Sequence, residues 1–296
     1  WSSDVCSSDL WGADFPETKH YNGYDEMFAA EDLDIVAVCT RGPHHYRAMM
    51  DTIKAGPRAI FLEKPPTCSL AEMDEIVAAA AAAQIPITVS YSRHWGSHVL
   101  RMAELIRDGL VGKVSGVVGH CGHSVLSFSS HQTDMICQFA GYDPAAVYAR
   151  GTMPEEDVRE GYEREPHLQS MIIEFTSGLI GTQVAVPGEM GNFACTVQGT
   201  EGRACVGYYQ PPAAWDQKGN PIDLAKYQLS QGSCSPFKLA YEQIARHLDG
   251  GPLPDCSGDH FIAVHEIGFG AVESILTGQR IELPNTNRTR QIFANG

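Results

Sequence analysis

Three short apolar runs alternate with helical patterns between residues 34 and 91, and this alternation constrains the fold more than any other feature. The runs cover residues 34–40, 58–62 and 86–91 and consist mainly of β-branched and other apolar residues. Continuous apolar runs of this length are typical of strands buried on both faces, as in parallel sheets. Strands that alternate with helices predict a doubly wound parallel sheet of the α/β class.

Helix signals fill the two intervals between these runs. In the first interval, apolar residues recur at the spacing of one helix face and are followed by a glycine (Tyr46, Met49, Met50, Ile53, Gly56). The second interval opens with Ser69 and Glu72 in the S-x-x-E pattern of a capping box, which indicates the start of a helix.

The pattern changes after about residue 93. The segment Gly109–Val114 is predicted to be a turn that leads into a strand, and strand-like segments separated by turn residues then follow at residues 170–176, 179–186, 193–198 and 203–208. Short strands joined by tight turns favour an antiparallel sheet. Helical patterns cover residues 131–140, 237–248 and 259–276, and loops are predicted at residues 154–166 and 210–236. The sequence predicts an α/β domain over residues 11–93 and an α+β domain over residues 94–296.

The first ten residues differ from the rest of the chain. They repeat Ser-Ser-Asp, show no periodicity, and lack the basic start and apolar centre of a signal peptide. We interpret residues 1–10 as a non-native scar, such as a translated sequencing adapter, joined to a truncated gene. A disordered native tail is the alternative.

Charge and cysteine usage exclude several classes of protein. The net charge is −15 and no basic block is present, which disfavours binding to nucleic acid or to an anionic membrane. Nine cysteines without a CxxC pair favour reduced thiols and a cytoplasmic protein. No apolar stretch reaches the ~18 residues of a membrane span.

Charged residues stand where the second apolar run ends. Glu63 and Lys64 follow Leu62 directly, and two prolines then end the strand. Ligands bind open α/β sheets at the carboxyl ends of the strands. This segment alone is equally compatible with a ligand site and with a solvated turn.

Several motifs in one order resemble the Gfo/Idh/MocA oxidoreductases, the family of glucose-fructose oxidoreductase and inositol dehydrogenase. The motifs are Cys39-Thr40 with His45, Glu63-Lys64-Pro65, Arg93, Gly109-x-x-Gly112-Lys113-Val114, His131-x-x-Asp134 with Gly141, and Gly199-Thr200-Glu201-Gly202. The resemblance covers residues 20 to about 285. It implies a Rossmann-type first domain and an open-faced second sheet that closes the site and mediates a dimer or tetramer. It also implies a dehydrogenase that uses NAD or NADP on a sugar, polyol or related compound.

The same resemblance implies roles for individual residues. Lys64 and His131 are expected to be catalytic. The cofactor is expected to contact Thr40, His45, Glu63 and Lys64. The substrate is expected to contact Arg93, Asp134, His123 and Tyr208.

Hydride chemistry is consistent with these roles. Oxidation of a carbinol needs a base for the hydroxyl proton, and a partly desolvated lysine beside an oxidised nicotinamide has a lowered pKa. Glu63 would oppose that shift, so its expected role is to position Lys64 and the cofactor. The ordinary pKa of His131, about 6.5, also suits acid–base work.

Each of these residues also has a purely structural interpretation. Thr40 can satisfy backbone groups at a strand end, and His45 can be a capped loop histidine. His131 and Asp134 can lie with Gln138 on a solvated helix face opposite the apolar residues (Met135, Ile136, Phe139). Arg93 can form a surface ion pair, and Tyr208 can belong to the core or rim.

Two departures from the family pattern affect these expectations. Ser127 stands where the family commonly carries an Asp four residues before the helix histidine, and His123 is close enough in sequence to compensate. No G-x-G-x-x-G turn precedes Lys19, so the first βαβ unit is predicted to be missing and cofactor binding by the chain as written to be poor. The residue that separates NAD from NADP falls in that unit.

Other functions remain open alternatives at this point. Ser127 favours a non-catalytic cofactor- or sugar-binding regulator, and an NAD-cycling lyase or hydrolase shares the same architecture. No metal site is predicted, because the single cluster of His120, Cys121 and His123 lacks tetrahedral spacing. A serine nucleophile is not predicted either, since no G-x-S-x-G occurs.

Overall fold

The computed structural model describes residues 17–155, 158–185, 193–227, 229 and 234–294. The chain divides into two compact units, the second of which begins at Ile35. The described part of the first unit contains helix α1 (Tyr24–Ala30), and Lys19 and Tyr21 both donate to the carboxylate of Glu31. The predicted scar at residues 1–10 lies outside the described residues. The predicted boundary at residue 93 falls inside the second unit and stays a prediction.

A parallel sheet forms the first part of the second unit. Its strands are β1 (Ile35–Val38), β2 (Ala59–Leu62) and β3 (Ile87–Val89), in the order β1-β2-β3. Helices α2 (Gly42–Ala55) and α3 (Leu70–Ala83) connect them. All four residues of β2 are buried, as expected for a strand with a neighbour on each side. The predicted β-α-β alternation is confirmed.

The residues that predicted the end of α2 and the start of α3 lie at those positions in the structure. Gly56 ends α2 in the left-handed conformation, at φ 76°, which a residue without a Cβ adopts without strain. The Ser69 hydroxyl accepts a hydrogen bond from the Glu72 backbone N–H at 3.2 Å. The Glu72 carboxylate in turn accepts from the Cys68 N–H at 3.1 Å, so reciprocal capping begins α3.

The second sheet has nine strands among the described residues. They are β4 (Val114–His120), β5 (His123–Ser124), β6 (Pro144–Thr152), β7 (His167–Phe175), β8 (Ile180–Val184), β9 (Ala194–Gly199), β10 (Gly202–Gly207), β11 (Ala213–Asp216) and β12 (Ile281–Glu282). Their order is β11-β10-β9-β4-β8-β7-β6-β12, with β5 beside β7. Only β4 and β8 pair in parallel among these strands, so the prediction of a mainly antiparallel sheet is confirmed.

Four of these strands escaped the sequence analysis. β11 lies inside residues 210–236, which were predicted to be a loop, and that prediction is wrong there. The others are β5, β6 and β12. β6 contains alanines, a glycine and an arginine, so its strand conformation comes from pairing with β7 and β12 rather than from local propensity.

Four further helices accompany the second sheet. They are α4 (Ser97–Arg107), α5 (Ser130–Ala140), α6 (Pro236–Leu248) and α7 (Asp259–Thr277). The polar face predicted for α5 is not solvated, since both His131 and Asp134 are buried. The helix lies between the sheet and the helices α4 and α7, which removes both of its faces from water.

Two glycines let α5 approach the sheet closely. A Cβ at Gly119 would lie 2.8 Å from the Ile136 side chain, and one at Gly181 would lie 2.7 Å from it. These distances are shorter than carbon–carbon contacts allow. The small residues of β4 and β8 therefore set the depth at which α5 holds its side chains.

The last described segment ties the two sheets together. The Arg288 guanidinium binds both Asp74 on α3 and Glu266 on α7. Its backbone also joins α3, because the Arg288 carbonyl accepts from the Ala71 N–H at 2.7 Å. The parallel sheet is thus fixed to the second sheet within one compact unit.

The described cysteines are free thiols. Among the described helices, none combines the length and the apolar content that a membrane crossing would need.

Candidate active site

Lys64 lies at the carboxyl end of β2, and its side chain extends toward the segment that contains the second sheet. The Lys64 Nζ donates to the Ser127 carbonyl oxygen at 3.0 Å. The peptide bond between Lys64 and Pro65 is cis. Glu63 accepts from the Ser90 hydroxyl at 2.9 Å and from the Lys64 N–H at 3.1 Å. Glu63 therefore joins the ends of β2 and β3 and fixes the backbone of Lys64.

The surroundings of Lys64 make its charged form less favourable than that of an exposed lysine. Burial lowers the pKa of Lys64, and the charge of Arg93 lowers it further. Glu63 and Glu165 oppose this shift without reversing it. A lysine with a lowered pKa can accept a proton at a pH where an exposed lysine cannot.

His45 connects the ends of β1 and β2. Its ring nitrogens lie 2.7 Å from the Pro65 carbonyl oxygen and 2.5 Å from the Thr40 carbonyl oxygen. The ring is buried, and burial lowers the pKa of His45 although the two carbonyls raise it. Thr40 itself is exposed at the sheet edge. The observed contacts of His45 are with backbone, and cofactor contact by either residue stays a prediction.

His131 is a buried histidine with one nitrogen unused. Its Nδ1 has no hydrogen-bond partner in the described part of the chain. The ring meets Tyr91 and Phe193 edge-on, at centroid distances of 6.4 and 5.7 Å. Burial, followed by the charges of Arg93 and Lys64, lowers the pKa of His131 well below its usual value. The imidazole is therefore neutral, and its Nδ1 keeps an unused hydrogen-bonding capacity within the described part of the chain.

Arg93 lies among aromatic rings. Its guanidinium carbon is 4.9 Å from the ring centroid of Phe193, 5.2 Å from that of Tyr208 and 5.7 Å from that of Tyr209. It donates to the Ser92 hydroxyl at 2.8 Å, and its buried Nε has no partner among the described residues. Arg93 and Tyr208 are both predicted to contact the substrate. The structure brings them into cation–π contact, in place of the surface ion pair that was the alternative for Arg93.

Glu165 is a site residue that the sequence analysis missed. It is buried and accepts hydrogen bonds from the Leu126 N–H at 2.5 Å, the Ser127 N–H at 2.7 Å and the Ser127 hydroxyl at 2.5 Å. Burial raises the pKa of Glu165 to about 7, although the Ser127 hydrogen bonds and Lys64 pull it downward. Glu165 lies in the predicted loop at residues 154–166, and no local pattern connects it with Ser127.

His123 is connected to His131 through a row of aromatic rings. Its ring stacks on His167 at 4.4 Å and meets Phe128 at 5.5 Å. Phe128 in turn packs on Phe193, which contacts His131. The carboxylate beside Ser127 is that of Glu165. His123 is therefore not needed to compensate there for the Asp of the family pattern. Substrate contact by His123 stays a prediction.

Asp134 belongs to a second buried cluster, the His94 cluster, defined by His94, Asp134, Tyr142, Asp255 and Cys256. Asp134 accepts from His94 Nδ1 at 2.9 Å and from the Tyr142 hydroxyl at 3.0 Å, and the Cys256 sulfur lies 3.7 Å away. His94 Nε2 is 3.5 Å from the Asp255 carboxylate. The ligand atoms of His94, Asp134 and Cys256 all lie within 4.8 Å of one another, so a metal ion could be held there, but they bind each other.

The charge state of this cluster follows from its contacts. Burial lowers the pKa of His94, but Cys256, Asp134 and Asp255 together raise it well above its usual value. Burial raises the pKa of Asp255, but His94 and Gln243 bring it down to about 2. The cluster is an ion pair extended by hydrogen bonds. Substrate contact by Asp134 stays a prediction, since its observed partners are protein groups.

The edge of the parallel sheet fits the nicotinamide end of a dinucleotide. Thr40 is exposed beyond β1, Glu63 and Lys64 follow β2, and nearby His131 has an Nδ1 that no described residue binds. Dinucleotides bind open α/β sheets at this edge. Their pyrophosphate rests on a glycine-rich turn at a helix N-terminus, and the described residues contain no G-x-G-x-x-G. The fit concerns the nicotinamide end only.

The first part of the chain matches a known family. Residues 5–91 match the model of the Gfo/Idh/MocA group, described as an oxidoreductase family with an NAD-binding Rossmann fold. Over these residues the chain is similar to the Gfo/Idh/MocA family. The resemblance carried by the ordered motifs and the Rossmann-type fold class are therefore confirmed.

Two curated relatives match this chain over part of their length. An uncharacterized oxidoreductase from Schizosaccharomyces pombe is 28% identical over 108 residues, which are 36% of this chain and 29% of that protein. Myo-inositol 2-dehydrogenase from Thermotoga maritima is 21% identical over 178 residues, which are 55% of this chain and 52% of that protein. The chain thus spans less than two thirds of either relative.

A solved structure of the same fold matches over a longer range. The aldose-aldose oxidoreductase from Caulobacter crescentus has a TM-score of 0.76 and 20% identity, covering 93% of this chain and 88% of that chain. At this identity the likeness shows the fold that the two chains share.

Proposed function

We propose that this protein is an NAD- or NADP-dependent dehydrogenase of the Gfo/Idh/MocA family that acts on a sugar, polyol or related carbinol. The observation that carries the proposal is the pairing of Lys64, whose pKa is lowered, with neutral His131 at the carboxyl edge of the parallel sheet. Two proton acceptors at this edge suit oxidation of a hydroxyl group. The names of the relatives, an inositol dehydrogenase and an aldose oxidoreductase, support the substrate class.

The chain's own residues divide the work as follows. Thr40, His45, Glu63 and Lys64 would hold a nicotinamide, which would supply the hydride acceptor or donor when bound. Lys64 Nζ takes the hydroxyl proton of the carbinol, and His131 Nδ1 accepts or donates a hydrogen bond at the same oxygen. Glu63 keeps Lys64 in place through its backbone N–H.

The remaining predicted residues surround the substrate in this proposal. Arg93 and Tyr208 form one wall with Phe193, and Arg93 offers its buried Nε to a substrate oxygen. His123 lies beyond Phe128 and would meet only the far end of a longer substrate. Asp134 would act through the position of α5, because its carboxylate is held by His94 and Tyr142.

A substrate screen tests this function. The full-length protein is incubated with NAD or NADP and a panel of sugars, polyols and sugar acids, and the absorbance of reduced nicotinamide is followed. We expect net reduction with at least one carbinol. Product formation without net reduction would replace the proposal with a cycling enzyme. Cofactor binding without any turnover would replace it with a regulator.

We also propose that the protein is a homo-oligomer that pairs through its second sheet. α5 covers one face, whereas the other face exposes Val118, Ile172, Ile180 and Val184. Val118 and Ile172 both flank Thr182, so these side chains form one apolar surface. Surfaces of this kind mark association sites. Light scattering after chromatography should give a dimer or tetramer, and Ile172→Asp should reduce it to a monomer; a wild-type monomer would contradict the proposal.

A further inference from the structure

We propose that Glu165 is a positioning residue for Lys64, to which it is linked through Ser127. The inference rests on the proposed function, because it assigns to Glu165 a part in the reaction of Lys64. None of the motifs that carry the family resemblance includes Glu165.

Hydrogen bonds define the path from Glu165 to Lys64. Glu165 receives both the N–H and the hydroxyl of Ser127, so it fixes that residue at two points. The carbonyl of the same residue receives the Lys64 ammonium at 3.0 Å. Any displacement of Ser127 therefore moves the atom that holds Lys64 Nζ.

Charge gives a second connection between the two side chains. Lys64 is faced by Glu63, Glu165, Arg93 and His131. Glu165 is one of the two carboxylates that favour the charged form of this lysine, and it is buried, where charges interact strongly. Glu63 is engaged by Ser90 and by backbone, so Glu165 supplies a separate negative charge on the Ser127 side.

The path does not conduct a proton. Lys64 donates to a carbonyl oxygen, which has no proton to pass on, and the Ser127 hydroxyl donates toward Glu165 rather than toward Lys64. The action of Glu165 on Lys64 is therefore through position and charge. No bond to Glu165 forms or breaks in the reaction.

The direct test is the titration of Lys64 in the full-length protein, with Glu165→Gln as the variant. Lysines are reductively methylated with ¹³C-formaldehyde, the Lys64 signal is assigned by its loss in Lys64→Arg, and its pKa is read by NMR. We expect a lower pKa for Lys64 in Glu165→Gln than in the wild type. An unchanged pKa would overturn the proposal. This readout needs no substrate, so it stands even if the proposed dehydrogenase activity fails.

Kinetics give the second readout once a substrate is found. Glu165→Gln should lower kcat by about tenfold to a hundredfold, a part of the 10²–10⁴ that acid–base catalysis contributes. The KM should change by less than about threefold, because Glu165 lies behind Ser127 and away from the substrate. The acid limb of the kcat profile should move to lower pH. An unchanged kcat would overturn the proposal.

A relocated carboxylate separates positioning from folding. In the double variant Ser127→Asp with Glu165→Gln, the negative charge moves to residue 127 and should restore part of kcat and raise the Lys64 pKa again. A folded double variant without this recovery would overturn the proposal. If circular dichroism shows that neither variant folds, Glu165 is a folding residue and the proposal is likewise overturned.

Discussion

Two of the buried polar residues of helix α5, His131 and Asp134, lie one turn apart, and their surroundings are opposite. His131 faces the cations Lys64 and Arg93 and has a nitrogen without a partner in the described part of the chain. Asp134 faces His94 and Tyr142, and both of its oxygens accept hydrogen bonds. The electrostatic interactions around His131 are unfavourable, which is typical of reactive sites. The surroundings of Asp134 neutralise its charge, as a structural cluster must.

This difference separates function from stability on one helix. Substitution of Lys64 or of the residues around it should change turnover more than folding. Substitution within the His94 cluster should first change the free energy of unfolding. The following experiments test that division, beginning with the largest expected effect.

Removal of the Lys64 amine should have the largest effect on turnover. Lys64→Ala is expected to lower kcat by about 10²–10⁴-fold, the range of a lost acid–base group. The free energy of unfolding should change little, because the half-buried ammonium keeps access to water beside its contact with the Ser127 carbonyl oxygen. Lys54→Ala, at an exposed position of α2, is the matched control. Near-normal kcat in Lys64→Ala would remove Lys64 from the mechanism.

Removal of the His94 cation should have the largest effect on stability. His94→Leu leaves Asp134 buried without its ion partner, which we expect to lower the free energy of unfolding by about 3–5 kcal/mol. The control is Lys238→Met, which breaks the exposed pair with Glu242 and should lower it by about 0–1 kcal/mol. Urea unfolding measures both. Equal, small losses would show that the cluster is not a stabilising unit.

The two regions should also respond to pH with opposite signs. The pKa of Asp255 is lowered to about 2, so its contribution to stability is present above its ordinary value and disappears as the pH falls toward 2. The pKa of Glu165 is raised to about 7, so the folded state holds a proton that the unfolded state releases. Its contribution therefore decreases as the pH rises from the ordinary glutamate value toward 7.

Melting temperatures across the pH range measure these signs. The difference between wild type and Asp255→Asn should shrink as the pH falls below about 4, near the ordinary carboxyl pKa. The difference between wild type and Glu165→Gln should move in favour of the variant as the pH rises from about 4 to 7. Two differences that move in the same direction would contradict the contrast between the regions.

The sequence predicted the parts of the site that depend on local patterns. Lys64 was located because an apolar run ends at Glu63, and α3 because Ser69 and Glu72 form a capping box. The parallel sheet followed from the same runs. Each of these signals lies within a few residues of the feature that it predicts.

The parts that were missed depend on contacts between distant segments. Glu165 meets Ser127 across 38 residues, and His94 meets Asp134 across 40. Cys256 joins the latter pair from 122 residues beyond Asp134. The burial of the polar face of α5 has the same origin, because α4 and α7 cover it only in the folded chain.

The pKa of the Lys64 amine in the ligand-free, full-length protein tests the central claim most directly. A ¹³C-methyl NMR titration, with the signal assigned by Lys64→Arg, gives this value without any assumption about the substrate. We expect a pKa below the ordinary lysine value of about 10.4. A pKa at or above that value would mean that Lys64 stays charged and is not the base of the proposed site.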